Sequence, residues 1–226
     1  KAGGTWLVSM LGDYFDMPKR DIYVADGYSA FDVAKHPWYQ NAASLNMTDI
    51  CVIKSHELPD SDLHNYPTQY IHLVRDGRDV VVSKYFFERD FCVQNGISAS
   101  FDLPWDEYVR KTAKEWSDFV LAWMYHESGK NWFRYEDLLA HPLETLEKIA
   151  KLFQNETDHQ KLALTVQNNT KEKTHKSLEK AFSYNTFVRK AQSGDWSHHF
   201  SEKDLLAFDL MAGKAMNALG YTDINL

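Results

Sequence analysis

Cysteine, proline and glycine are all scarce in this chain. Its 226 residues hold only two cysteines, Cys51 and Cys92. Two cysteines cannot build a disulfide scaffold, and this pair lacks metal-ligand spacing, so it fits a reducing compartment and a site without metal. The six prolines and ten glycines gather into no low-complexity linker, and no internal repeat is present. No run approaches the roughly 18 apolar residues that a membrane helix needs, and no basic stretch leads into an apolar signal core. The chain is therefore expected to be cytoplasmic and off the membrane. Positive charge is in deficit, with 25 Lys and Arg against 32 Asp and Glu for a formal net charge of −7. Nucleic acids and anionic membranes reward a contiguous basic surface, so neither is expected as a partner. A nucleotide needs only a local basic pocket, which this overall charge does not exclude.

What the chain has in quantity is apolar and aromatic surface, at 44% and 14% of its residues. That is enough to bury the core of one domain, expected over 1–226. Leu7, Met10, Leu11, Tyr14 and Phe15 recur at helical spacing, so Thr5–Phe15 reads as an amphipathic helix that Pro18 breaks. Ile50–Ile53 and Tyr70–Val74 are short apolar runs typical of buried parallel strands. One short strand is expected within residues 21–48. A helix is expected from Asp79 to Phe91, a loop over 92–104, and a long helix from Trp105 to near Gly129. Asn131–Tyr135 gives a further strand. Pro142 suits a first helical turn, with Leu143, Leu146, Ile149 and Phe153 as the apolar stripe. Weaker helical patterns follow over 157–182, then a loop over 183–200. Ser201 with Asp204 reads as a capping box that opens a last helix to about Leu219. Strands alternating with helices imply an α/β class, with a mainly parallel sheet covered on both faces.

Four separated segments carry the chemistry. In the first, Lys1-Ala2-Gly3-Gly4-Thr5-Trp6, a lysine and a glycine pair stand just before a helix, whose N–H groups and dipole favour phosphate. The lysine precedes the glycines, so this is not the magnesium-dependent Gly-Lys-Ser/Thr loop of nucleotide triphosphatases, which counts against a kinase. In the second, Lys54-Ser55-His56-Glu57-Leu58-Pro59, a histidine follows a strand two residues after a lysine, where it could take a proton near neutral pH. In the third, Arg75 and Ser83 stand eight residues apart across a strand-to-helix turn. Arg75 offers a planar fork and Ser83 a short hydroxyl donor for phosphate. Asp76, Arg78 and Asp79, which lie between them, read as helix-start and ion-pair residues. The fourth is Arg189-Lys190-Ala191 leading to Gly194-Asp195-Trp196 and His199-Phe200. His198 and His199 are adjacent and lack an accompanying carboxylate or cysteine cluster, so no metal is assigned.

The order and spacing of these segments resemble the cytosolic-type sulfotransferases that use 3′-phosphoadenosine 5′-phosphosulfate (PAPS), and the resemblance runs from Lys1 over nearly the whole chain. Lys1, Gly3, Thr5 and Trp6 match that family's Pro-Lys-Ser-Gly-Thr-Thr-Trp run, whereas Ala2 and Gly4 replace two hydroxyl residues. The resemblance implies that Lys1 meets the bridging oxygen and phosphosulfate, that N–H groups from Gly3 to Trp6 hold the phosphate, and that Trp6 lies against adenine. It implies His56 as catalytic base with Lys54 beside it, and Arg75, Ser83, Arg189, Lys190 and Ala191 around the 3′-phosphate. Ala191 stands where the family has glycine. Tyr135, in a Tyr-Glu-Asp-Leu match, is implied near adenine. Ser177 and Leu178 lie where the family has Ser-Phe-Glu, and Leu178 would cover the base without aromatic stacking.

The implied fold is a three-layer α/β/α, P-loop-like sulfotransferase domain, expected here to lack its first strand before Lys1. The implied reaction moves a sulfuryl group from PAPS to a hydroxyl of a small-molecule or acyl-carrier-bound acceptor. It needs no metal and releases adenosine 3′,5′-bisphosphate. Aromatic residues at 14–39 and 85–105 could line the acceptor pocket. The competing reading is a non-catalytic nucleotide-binding or carrier-docking module of the same fold, which Ala2, Gly4 and Ala191 make plausible.

Overall fold

The computed structural model describes residues 2–21, 50–60, 69–93, 101–170, 172–173 and 192–221. Four short strands are found among them: β1 (Lys19–Asp21), β2 (Val52–Lys54), β3 (His72–Val74) and β4 (Trp132–Arg134). Seven α-helices accompany them: α1 (Gly4–Phe15), α2 (Gly77–Phe86), α3 (Trp105–Tyr125), α4 (Tyr135–Ala140), α5 (Pro142–Ala150), α6 (His159–Asn168) and α7 (Glu202–Ala218). β1 pairs with β2 and β3 with β4, both parallel, as two separate two-stranded sheets.

The strands separate two helical layers, and their alternation shows how. Leu73 of β3 and Phe133 of β4 face a core built from Leu7, Met10 and Leu11 of α1, Leu146 and Ile149 of α5 and Leu162 of α6. Their neighbours Val74 and Trp132 face the opposite way, against Val120 of α3 and Ala215 of α7. Consecutive strand residues point to opposite faces, so one strand serves both layers. α3 and α7 pack along each other, and Tyr108, Val109 and Ala113 meet Phe208, Ala212 and Met216 there with no exposed surface. Each such large apolar side chain contributes about 1.5–3 kcal/mol when fully buried.

Local signals account for most element boundaries. α1 ends at Phe15, with Asp16 in the left-handed region at φ 53°. α7 opens on Ser201, whose side chain accepts the N–H of Asp204 while the Asp204 carboxylate accepts the N–H of Ser201. The expected helix of 79–91 begins two residues earlier, because Asp76 accepts the N–H of Arg78 and caps it. It then widens into a π-helix over Phe87–Cys92. Glu88 in that segment is buried and accepts a hydrogen bond of 3.0 Å from the Tyr108 hydroxyl. α3 ends at Tyr125, short of Gly129.

The stripe expected on α5 holds only at its centre. Leu146 and Ile149 are fully buried, whereas Leu143 and Phe153 are exposed by 40% and 43%. Helix geometry puts Leu143 at N2, on the solvent side of the first turn, and α5 stops at Ala150 before reaching Phe153.

Candidate functional site

The site is built where α1 begins. Gly3 caps that helix at φ 80°, ψ 15°, a left-handed conformation that costs a residue with a side chain about 1–2 kcal/mol. A Cβ on Gly3 would stand 2.7 Å from the ring of Tyr135. One on Gly4 would stand 3.7 Å from Lys54 Cδ, an ordinary contact. The glycine turn is thus pressed between the last residue of β2 and the residue that follows β4. It lies at the carboxyl ends of the strands, where open α/β sheets bind their ligands.

Helix geometry sorts the donors of this turn. The N–H of Trp6 turns back to the Gly3 carbonyl at 3.0 Å. Those of Gly4 and Thr5 have no intrahelical acceptor by construction and face outward at the positive end of the helix dipole. The expected run of donors from Gly3 to Trp6 is narrowed accordingly at its last member. The Trp6 indole donates to the carbonyl of Asn169 at 2.5 Å, which ties α1 to the end of α6 and leaves the ring partly buried.

Lys54 runs from the end of β2 along Gly4, and His56 is exposed two residues further on. The Ser55 hydroxyl between them accepts the N–H of Glu57 at 3.0 Å, a local turn that bends the chain away from the strand. Lys54, His56, Gly4 and Arg75 all line one cavity of about 760 Å³.

Arg75 follows β3 and is 7% exposed. Its guanidinium lies 4.9 Å from the centroid of the Tyr135 ring. One amino group donates to the Gln192 carbonyl at 2.7 Å and lies 3.4 Å from Asp79. Tyr135 is buried beneath Gly3 and Arg75, and that burial pushes its phenol pKa up. Ser83 is partly exposed on α2, six residues beyond Gly77 and so about 9 Å along the axis. The structure therefore brings Gly3, Gly4, Lys54, Arg75 and Tyr135 together. Lys1, Ser177, Leu178, Arg189, Lys190 and Ala191 lie outside the described residues.

The charged cluster between Arg75 and Ser83 is not a solvated turn. Asp76, Arg78 and Asp79 are all buried. Arg78 meets Asp76 at 2.6 Å, and its guanidinium stacks 3.9 Å from the Trp196 ring centroid. Asp79 accepts the N–H groups of Gly194 at 2.8 Å and Trp196 at 3.0 Å. Glu136, in the first turn of α4, accepts the Asp76 N–H at 3.1 Å and the Tyr221 hydroxyl at 2.7 Å. These braces tie α2, α4 and the Gly194–Trp196 turn into one unit. Sequence alone offered a single clue to them: three charges within the four residues 76–79 at a strand-to-helix turn.

The family model described as Sulfotransferase domain matches residues 1–220. The chain belongs to this family. Among relatives, this sulfotransferase domain is 29% identical to mouse Sulfotransferase 1B1 over 190 residues, which is 74% of the chain and 61% of that protein. It is 24% identical to human Sulfotransferase 2A1 over 206 residues, covering 80% of the chain and 70% of that protein. The domain thus spans between three fifths and about seven tenths of the length of these relatives. Its fold matches the crystal structure of mouse sulfotransferase SULT7A1 complexed with PAP at a TM-score of 0.70, with 20% identity, over 96% of this chain and 80% of that one. Retinol dehydratase, in complex with androsterone and inactive cofactor PAP, matches at 0.62 with 16% identity, over 85% and 59% of the two chains. The three-layer sulfotransferase fold expected from the sequence is the fold observed.

Proposed function

We propose that the chain, as one domain, transfers a sulfuryl group from PAPS to a hydroxyl acceptor. The observation that carries the proposal is the meeting of the Gly3–Gly4 turn with Lys54, Tyr135 and Arg75 at the strand ends. Cation, outward backbone donors and a buried guanidinium converge there, as a ligand with two separated phosphate groups requires. The fit is helped by Gly3, where a side chain would strike Tyr135 and push into the turn.

PAPS supplies the activated sulfuryl group and leaves as adenosine 3′,5′-bisphosphate. The N–H groups of Gly4 and Thr5, with Lys1, bind the 5′ side of the nucleotide. Arg75 and Ser83, with Arg189, Lys190 and Ala191, hold the 3′-phosphate. Trp6, Tyr135, Ser177 and Leu178 border the adenosine. His56 takes the proton of the acceptor hydroxyl at an imidazole nitrogen, and Lys54 and Lys1 stabilise the charge that develops as that hydroxyl attacks in line. Fixed lysines act here where kinases use a divalent cation. The acceptor is a small molecule or an acyl group on a carrier, and the compartment is the cytoplasm.

Thermal unfolding with adenosine 3′,5′-bisphosphate, followed by transfer of labelled sulfate from PAPS to phenols, sterols, sugars and acyl-carrier substrates, tests this directly. Ligand at about 100 times its Kd should stabilise the fold by roughly 2.7 kcal/mol. No shift would remove the site. A shift without turnover on any acceptor would support a nucleotide-binding module instead.

A further inference from the structure

A second cavity, of about 240 Å³, lies among the charged braces and shares no lining residue with the larger one. Arg78, Arg134 and Ser193 border it together with three carboxylates. Two of those carboxylates already have donors. Asp76 takes the Nε and Nη2 hydrogens of Arg78, and the two oxygens of Glu136 accept the Asp76 N–H and the Tyr221 hydroxyl. Asp137, the third, is exposed at the rim.

What remains is donor capacity. Nη1 of Arg78 is buried without a hydrogen-bond partner, on a side chain that is only 5% exposed. Leaving such a guanidinium hydrogen unmade is costly. Arg134 donates Nη2 to the Leu219 carbonyl and lies 4.6 Å from the Tyr221 ring centroid, and among the described residues it makes no ion pair. Room for that guanidinium is made by Gly220, since a Cβ there would stand 2.6 Å from Nη2. Nε and Nη1 of Arg134 keep their hydrogens for another acceptor. The Ser193 hydroxyl adds a donor from the exposed turn before Gly194.

Two guanidiniums and a hydroxyl, carried on α2, β4 and that turn, therefore surround one cavity with unused hydrogens. A carboxylate accepts in a single plane, whereas a tetrahedral oxyanion accepts on four oxygens that point apart. Donors brought by three separate segments suit the second shape.

We propose that this cavity is a second anion site, which takes one free tetrahedral oxyanion, sulfate or phosphate, between Nη1 of Arg78, Arg134 and Ser193. The ion completes Arg78 and ties α2 and β4 to the segment whose Gln192 carbonyl holds Arg75. It steadies the border of the nucleotide site without entering it. Asp137 opposes the ion by charge alone, so it weakens the site and does not build it.

Titration with sodium sulfate, phosphate or acetate at constant ionic strength, read on the ¹⁵Nε resonances of the arginines, tests the proposal with and without saturating adenosine 3′,5′-bisphosphate. Sulfate and phosphate should shift Arg78 and Arg134 saturably, acetate should bind more weakly, and the nucleotide should leave the shifts in place. Arg134→Gln should weaken sulfate by about tenfold or more, read on Arg78. Asp137→Asn, an exposed change that removes only the opposing charge, should tighten sulfate severalfold, a gain that damaged folding does not produce. No saturable shift at these arginines would overturn the proposal, as would an unaltered sulfate affinity in Asp137→Asn. Displacement of sulfate by the nucleotide would also overturn it, by assigning the ion to the nucleotide site. If the nucleotide does not bind, the sulfate titrations still read this cavity, so the second site and the transfer reaction fail separately.

Discussion

The carboxylate of Asp79 accepts the backbone N–H of Gly194 at 2.8 Å, joining the first turn of α2 to a segment 115 residues further along the chain. The same carboxylate takes the Trp196 N–H and stands 3.4 Å from Arg75, so one buried side chain fixes both a cation of the proposed site and the turn that follows its last basic segment. Asp79→Ala should cost about 3–5 kcal/mol in urea unfolding, because it leaves Arg75 buried without this counter-charge and frees two N–H groups. Asp79→Asn should cost less, since the amide oxygen still accepts one of them. Unfolding curves that superimpose on the wild type would show that the brace is not formed in solution.

His56 is the expected proton acceptor. His56→Ala should lower kcat for sulfuryl transfer by about 10²–10⁴-fold while adenosine 3′,5′-bisphosphate binds unchanged, because the side chain is exposed and its assigned role is to take the acceptor's proton. Parallel turnover assays and binding isotherms check the two halves. Wild-type turnover in the variant would remove His56 from the mechanism.

Gly3 and Gly4 should respond oppositely to side chains. Gly3→Ala forces a Cβ to 2.7 Å from Tyr135 in a left-handed backbone and should cost about 1–3 kcal/mol, along with nucleotide affinity. Gly4→Thr meets only ordinary contact with Lys54 and adds a hydroxyl at the helix start, so it should tighten adenosine 3′,5′-bisphosphate by severalfold at unchanged or higher Tm. Calorimetric titration of both variants reads the contrast. Weaker binding in Gly4→Thr would place the phosphate elsewhere.

His72 sets a pH dependence of stability. Its ring stacks 4.6 Å from Trp132 and lies tilted at 4.7 Å from Trp123, and burial holds its pKa below the ordinary 6.5. The folded state therefore prefers the neutral ring, and the unfolded chain binds the extra proton as pH falls through about 6.5. This contribution is full above that pH and declines below it, at no more than about 1.4 kcal/mol per pH unit, until the folded pKa is reached. His72→Phe should flatten the stability profile between pH 6.5 and 5 relative to wild type, as read by urea unfolding at each pH. Profiles of equal slope would exclude His72 as the source.

Short apolar runs and helical spacings made β2, β3, β4 and the helices other than α4 legible from sequence, because burial on both sides of a strand or along one stripe of a helix must be written in consecutive residues. The capping box at Ser201 and the start of α1 at the glycine pair were legible for the same local reason. The reach of Asp79 to Gly194 and of Glu136 to Asp76 was not, because a carboxylate near a helix start reads alike whether it faces water or a distant backbone. Leu143 and Phe153 failed as core residues because an apolar side chain at the very end of a stripe has no partner written in the sequence.

By itself the sequence determined the layered α/β class, the order of the four chemistry-bearing segments and the family they resemble, since each rests on residue types at short spacing. Tertiary structure alone decided that Tyr135 lies beneath Gly3 and Arg75, and that the charges from Asp76 to Asp79 are buried braces. It also decided that residues of β2 and β3 line one cavity of about 760 Å³. Those relationships depend on which faces meet after chain separations of tens of residues, and packing selects among such meetings with no mark in local sequence.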